Sequence, residues 1–254
     1  LATDVTFAPD ASVVVSDWVN GWTGEGKGRL YRFRDDASQS AVASSRSVEL
    51  LGGALAKMSE AELAETLTNA DRRVRQEAQF ELARRDSMDL FVSLLHASSK
   101  TVATRHAMWG LWQLGLKSSD SATSIIPELL HAVTDESNVF SDEDQTQALK
   151  IIGDLIHRHG MKSVPGELRS QVATAATELM KSENLRVAGF AAVLLGRVGT
   201  SGDAPSLLAF LDRINNSDPV ARHQASMGLT YIAERTPGLL ASLAAYAGAP
   251  GRVG

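Results

Sequence analysis

The sequence predicts an all-α chain, an α-α superhelix of about five helical pairs, preceded by a short β segment. Three observations predict it. An alanine followed four residues later by Leu or Ile occurs at Ala78/Leu82, Ala107/Leu111, Ala148/Ile152, Ala191/Leu195 and Ala225/Leu229. A second apolar stretch precedes each of these: Leu63 to Leu67, Leu90 to Leu95, Ile125 to Val133, Val172 to Met180 and Leu207 to Leu211. Ala and Leu are abundant while aromatic residues make up only 6% of the 254 residues, a composition that suits closely packed helices.

Each observation has a physical basis. Spacing of four places both residues on one helix face, where the small Ala admits a neighbouring helix and the larger residue fills the space beside it. A further apolar residue follows three positions later at Leu114, Leu155, Val198 and Ile232, while the first repeat carries Arg85 there. Gly115 and Gly199 follow closely, where a left-handed glycine commonly ends a helix. The five alanines lie 29, 41, 43 and 34 residues apart, around the period of helical-pair solenoids and too irregular for tetratricopeptide or ankyrin arrays.

Residues 1–34 read differently. Val5 and Phe7, then Val13 to Val15, are β-formers on either side of the turn-like Ala8-Pro9-Asp10-Ala11. Val13 to Trp18 and Arg29 to Phe33 predict a second pairing around the glycine-rich 20–28. Residues 35–46, rich in Ser, Ala and Asp, read as a linker, and 47–248 as the helical repeats.

Composition narrows the function classes. A net charge of −5 with dispersed basic residues disfavours a nucleic-acid ligand. The absence of Cys excludes disulfides, thiolate metal sites, a Cys nucleophile and thioether-linked haem. No apolar stretch approaches the roughly 20 residues of a membrane-spanning helix. The chain starts at Leu1 without a basic-then-apolar leader, so it reads as cut from a longer one or processed.

Candidate chemistry is sparse. His157 and His159 are the only close histidine pair, and a spacing of two turns them to different helix faces, which suits no metal. His106 and His223 sit just ahead of their repeat alanines, where packing accounts for them. Gly24-Glu25-Gly26-Lys27-Gly28 lacks the spacing of a phosphate loop and reads as a hairpin loop. Asp142-Glu143-Asp144 favours a helix N-terminus more than a cation. No Ser sits in a Gly-x-Ser-x-Gly elbow. No catalytic residue, cofactor site or metal site is expected. Trp109 and Trp112, with Arg105 near them, are the candidates for an interaction surface, because large aromatics and Arg are enriched at binding hot spots.

Asp71-Arg72-Arg73-Val74-Arg75-Gln76-Glu77-Ala78, Asp218-Pro219-Val220-Ala221-Arg222-His223-Gln224-Ala225 and Leu195-Gly196-Arg197-Val198-Gly199 resemble the second helix of HEAT and related lyase-type repeats, so the expected class is a HEAT/ARM-like solenoid. That resemblance implies that Asp71 with Arg75, and Asp218 with Arg222, form a structural ladder between neighbouring repeats. The opening Asp4-Val5-Thr6-Phe7-Ala8-Pro9-Asp10, then Val14-Val15-Ser16-Asp17-Trp18 and Gly26-Lys27-Gly28-Arg29-Leu30-Tyr31-Arg32, is similar to the closing part of a sugar-dehydrogenase-like β-propeller. In the bacterial putative membrane-bound dehydrogenases such a propeller precedes HEAT repeats and often a cytochrome c domain. What the resemblance implies is a propeller–HEAT junction in the cell envelope or periplasm, with redox centres outside this chain. The expected function is a non-catalytic scaffold contacting a protein or a neighbouring domain of the same polypeptide. The alternative is an accessory region of a quinone-dependent, propeller-type oxidoreductase.

Overall fold

The computed structural model describes residues 2–18, 26–35, 42–97, 101–134, 140–239 and 241. The chain divides into two compact units, residues 1–85 and 86–254.

The first unit opens with β1 (Ala2–Phe7), β2 (Val13–Asp17) and β3 (Arg29–Phe33), an antiparallel meander in the order β1-β2-β3. Its register aligns Phe7, Val13 and Phe33 in one row and Val5, Val15 and Tyr31 in the next-but-one. Because strand residues two apart share a face, these six apolar side chains lie together. The β1–β2 turn is held by Ala8 N–H donating to Ser12 O at 2.8 Å and by Ala11 in the left-handed region at φ 63°. Within this turn Asp10 accepts from the Ser12 hydroxyl at 2.7 Å and is paired with Arg32. Most of the glycine-rich loop, residues 19–25, lies outside the described residues.

Three helices complete the unit: α1 (Val42–Leu51), α2 (Glu60–Thr66) and α3 (Arg72–Arg84). Helix α1 starts inside the stretch that composition marks as linker, since Ser and Ala tolerate a helix without announcing one. Helices α2 and α3 form the first pair. Ser59 caps α2 through a capping box with Glu62. Arg85 occupies the position where later repeats place an apolar residue, and it donates to the carbonyls of Met58 and Ala56 at 2.7 and 3.1 Å. The exception in the repeat pattern therefore satisfies backbone oxygens of the turn before α2.

The second unit holds four more pairs: α4 (Met88–Leu95) with α5 (Val102–Gly115), α6 (Ser119–Thr134) with α7 (Asp142–His159), α8 (Gly166–Leu179) with α9 (Leu185–Val198), and α10 (Ala204–Ile214) with α11 (Pro219–Arg235). Second helices pack on second helices, α5 on α7, α7 on α9 and α9 on α11; first helices do the same, α4 on α6 and α6 on α8. This is the α-α stacking of a helical-repeat protein. Among the described residues the chain is helical apart from the N-terminal sheet.

The residues that announced the repeats make the core. Ala78, Leu82, Ala107, Leu111, Ala148, Ile152, Ala191, Leu195 and Ala225 are fully buried. Leu229, on the last second helix, is half-buried. Helices do end at Gly115 and just before Gly199, but neither glycine is left-handed. Their reason is space: a Cβ on Gly115 would lie 2.7 Å from Leu155 Cδ2, and one on Gly199 would lie 2.6 Å from Leu195 O. Backbone meets backbone between α9 and α11, where a Cβ on Gly196 would lie 2.6 Å from the Gly228 carbonyl oxygen. Two glycines face each other there because no side chain fits between the backbones.

Candidate interaction surfaces

Every second helix begins with a side-chain cap: Asp71, Thr101, Ser141, Asn184 and Asp218 each accept from backbone N–H groups of the first turn. Asp71 and Asp218, two of the ladder residues, therefore serve as N-caps. The Asp71 carboxylate also pairs with Arg73 at 2.7 Å, and this hydrogen bond, against the opposing effect of burial, holds its pKa below the usual carboxylate value. Arg75 donates to the carbonyls of Asn69 and Ala70 at 2.6 and 3.0 Å, and Arg222 donates to the Asn216 side chain at 3.1 Å. Both arginines thus hold the loop that precedes their own helix.

Other residues also make bonds between repeats. Arg105 on α5 donates to Asp144 on α7 at 2.7 Å, and Trp109 Nε1 donates to Gln147 at 3.1 Å. Gln147 donates in turn to Glu143 at 2.7 Å, and Glu143 pairs with Arg186 on α9. Asp142 accepts from Asn184 at 2.7 Å. The three consecutive acids at the start of α7 therefore take three separate partners. Asp144 also closes the capping box of α7 through Ser141. Burial disfavours its charge, but the Ser141 and Arg105 hydrogen bonds outweigh burial and set its pKa below the ordinary value.

A second set of bonds runs from basic side chains to the carbonyl ends of the equivalent helix one repeat earlier. His159 Nε2 meets Gly115 O at 2.7 Å, Arg213 donates to Met180 O at 2.6 Å, and Arg235 donates to Gly196 O and Gly199 O at 2.6 and 3.0 Å. The last carbonyls of a helix lack intrahelical donors, so each of these contacts meets an unmet acceptor, and the charges of Arg213 and Arg235 also oppose the negative end of the helix dipole. Nothing in the local sequence marks these residues, because each partner lies 33 to 44 residues away.

The remaining candidates are placed as follows. His106 is buried, edge-on to the Trp109 ring at 5.0 Å, while His157 and His223 are exposed. The Trp112 indole nitrogen is sealed from solvent and has no hydrogen-bond partner. His96 and His131 stack with ring centres 4.9 Å apart, and His96 meets Glu128 at 2.6 Å. Among the described residues no group of three His, Asp or Glu side chains is arranged to hold a metal ion, and no helix is long and apolar enough to cross a membrane.

What the described residues do present is surface. In the sheet, Phe7 is 68% exposed, Val5 62%, Phe33 59% and Tyr31 41%, all on the face that the register defines. The helices of the same unit touch the sheet at its turn, where Arg73 donates to Phe7 O at 2.5 Å. A second feature is a polar pocket of about 680 Å³ in the other unit, against α8 and the residues that follow α9.

Stacked helical pairs with side-chain caps and carbonyl locks define a helical-repeat protein. No protein-family model matches the chain, and no curated protein matches it in sequence. Among solved structures it is similar to a designed armadillo repeat protein, at 13% identity over 76% of this chain and 93% of that one, with a TM-score of 0.49. It is also similar to an engineered protein from the Northeast Structural Genomics Consortium, at 17% identity over 79% of this chain and 92% of that one, with a TM-score of 0.47. The architecture stated above rests on the packing of this chain's own helices.

Proposed function

We propose that the chain is a non-catalytic scaffold whose helical pairs hold a docking surface, the apolar face of the N-terminal sheet, against a β-sheet of a neighbouring protein or domain. The observation that carries this reading is the pair of apolar rows, Phe7, Val13 and Phe33 with Val5, Val15 and Tyr31, on a three-stranded sheet with exposed outer strands. Three strands gain independent stability only by packing a hydrophobic face, and exposed apolar patches of this kind mark interaction sites. A β-sheet is the fitting partner, since two apolar sheet faces pack about 10 Å apart with interdigitating side chains. Arg105 and Trp109 have their polar atoms engaged by α7, which favours the sheet over the second helices as the first surface to test.

In the finer form of the proposal the partner is a propeller-type domain of the same polypeptide, and any redox centres of that parent lie outside this chain. The antiparallel meander supports it, together with the resemblance of residues 4–32. The test is to place a photo-crosslinking phenylalanine analogue at Phe33 in the natural gene product, irradiate cells, and map the adducts. Adducts in strands outside residues 1–254 are the expected outcome. Adducts confined to this chain's own helices, or none while a control at the exposed Val220 reacts, would remove the docking reading.

A further inference from the structure

We infer that the second unit carries a carboxylate-binding pocket centred on Arg169. The pocket, about 680 Å³, lies between α8 and the turn at Thr200 to Asp203, and its polar lining includes Arg169, Ser170, Thr174, Thr177, Thr200 and Asp203. That volume suits a small organic acid or one or two side chains of a peptide.

Arg169 is the uncommitted group. Its Nε is sealed from solvent with no hydrogen-bond partner, and among the described residues its guanidinium enters no ion pair. Several other arginines of the stack have partners: Arg105 is paired with Asp144, Arg197 with Asp154 through a terminal nitrogen although its Nε also lacks an acceptor, and Arg213 and Arg235 with backbone carbonyls. Arg169 is half-buried, and an Nε–H withdrawn from water without an acceptor is costly, so an oxyanion that reaches it relieves that cost.

The carboxylates on the pocket wall do not supply the acceptor. Asp203 is held by the Thr200 N–H at 2.7 Å and its hydroxyl at 3.1 Å, and Glu178 is paired with Lys181 at 2.8 Å. Two hydroxyls are also spent, since Ser170 donates to Gly166 O at 3.1 Å and Thr177 to Ala173 O at 2.9 Å. Thr174, an exposed residue, lines the same wall and brings a hydroxyl to it. One fork-shaped cation and one hydroxyl make a donor set for a planar monoanion. The negative charges of Asp203 and Glu178 disfavour a dianionic phosphate in the same space. The carboxylate can come from an acidic side chain of a partner peptide or from a small organic acid. The inference is independent of the sheet, and neither result decides the other.

The experiment follows the Arg Nε–H signals of the 254-residue chain by NMR, with Arg169 assigned by its disappearance in Arg169→Lys. The probes are the capped tripeptide acetyl-Ala-Glu-Ala-amide, its Gln counterpart, succinate and inorganic phosphate. The expected result is a saturable shift of the Arg169 signal with the Glu peptide and none with the Gln peptide. Tighter binding of the peptide than of succinate identifies a partner side chain as the source, and the reverse identifies a small organic acid; both uphold the pocket. Binding, followed in the variants by the backbone amide signals of the pocket wall, weakens about tenfold in Arg169→Lys and about threefold in the wall variant Thr174→Val. A saturable response to phosphate as strong as to the carboxylates overturns the carboxylate assignment, and no saturable response in the wild-type chain overturns the pocket.

Discussion

The N-terminal sheet and the layer of second helices α5, α7, α9 and α11 use similar proportions of apolar residues for opposite ends. In the helical layer the apolar side chains are interior: Ala107, Leu111, Ile152, Leu155, Ala191 and Leu195 are all fully buried, and facing glycines bring α9 against α11. In the sheet, residues as large as Phe7 and Phe33 stay mostly in water. Period explains the difference. A helical repeat that buries one stripe against the next repeat closes its own core, whereas a three-stranded sheet has an apolar face and no second layer within the described residues to close it. Buried apolar surface therefore resides in the stack, and exposed apolar surface in the sheet.

Substitutions can break that contrast. The largest effect is expected from Phe91→Ala, which empties a fully buried site and should cost about 3–5 kcal/mol by denaturant unfolding. A Cβ on Gly110 would lie 2.6 Å from Phe91 Cε1, so Gly110→Ala should be harmful alone and close to neutral when combined with Phe91→Ala. Additive costs in that double-mutant cycle would mean that the two residues do not share one space. Next, Gly196→Ala or Gly228→Ala forces α9 and α11 apart and should cost about 1–3 kcal/mol, read as a lowered unfolding midpoint.

Asp144 sharpens the comparison through pH. Its pKa in the folded state lies below the ordinary carboxylate value, about 3.9 when unfolded. Its contribution is therefore complete above that unfolded value and is lost as pH falls through the depressed folded one. Asp144→Asn should lose less stability than the wild type between about pH 5 and pH 2, and equal slopes would show that the Arg105 and Ser141 bonds carry no charge-dependent energy. The smallest effect belongs to the sheet: Phe7→Ser with Phe33→Ser should shift unfolding stability by no more than about 0.5 kcal/mol per site, because both rings are exposed. A larger loss would place those rings inside a core.

The repeat helices were legible because their signal is local. Ala at one position and Leu or Ile four later mark a face, and Asp71 and Asp218 mark where that face begins in two repeats. The five pairs, the strands and the Ala8–Ala11 turn follow from such short-range patterns. The left-handed endings expected at Gly115 and Gly199 did not follow, since a glycine needed for lack of a Cβ looks the same in sequence as one needed for its φ. The bonds between repeats were illegible for a related reason. Arg105, His159, Arg213 and Arg235 are ordinary residues of amphipathic helices until stacking brings a carboxylate or carbonyl from another repeat beside them. Arg169 went unremarked because what distinguishes it is a missing partner, which only folded geometry can reveal.

The link from Trp109 to Gln147 has an optical consequence. Its indole lies across the seam between α5 and α7, bonded to one helix while carried by the other. Any slip of those helices exchanges an amide oxygen for water at the indole nitrogen and moves the emission towards the red. In a variant that keeps Trp109 as the sole tryptophan, the chain becomes its own strain gauge, able to show whether loading the Arg169 pocket is felt at a seam built from other residues.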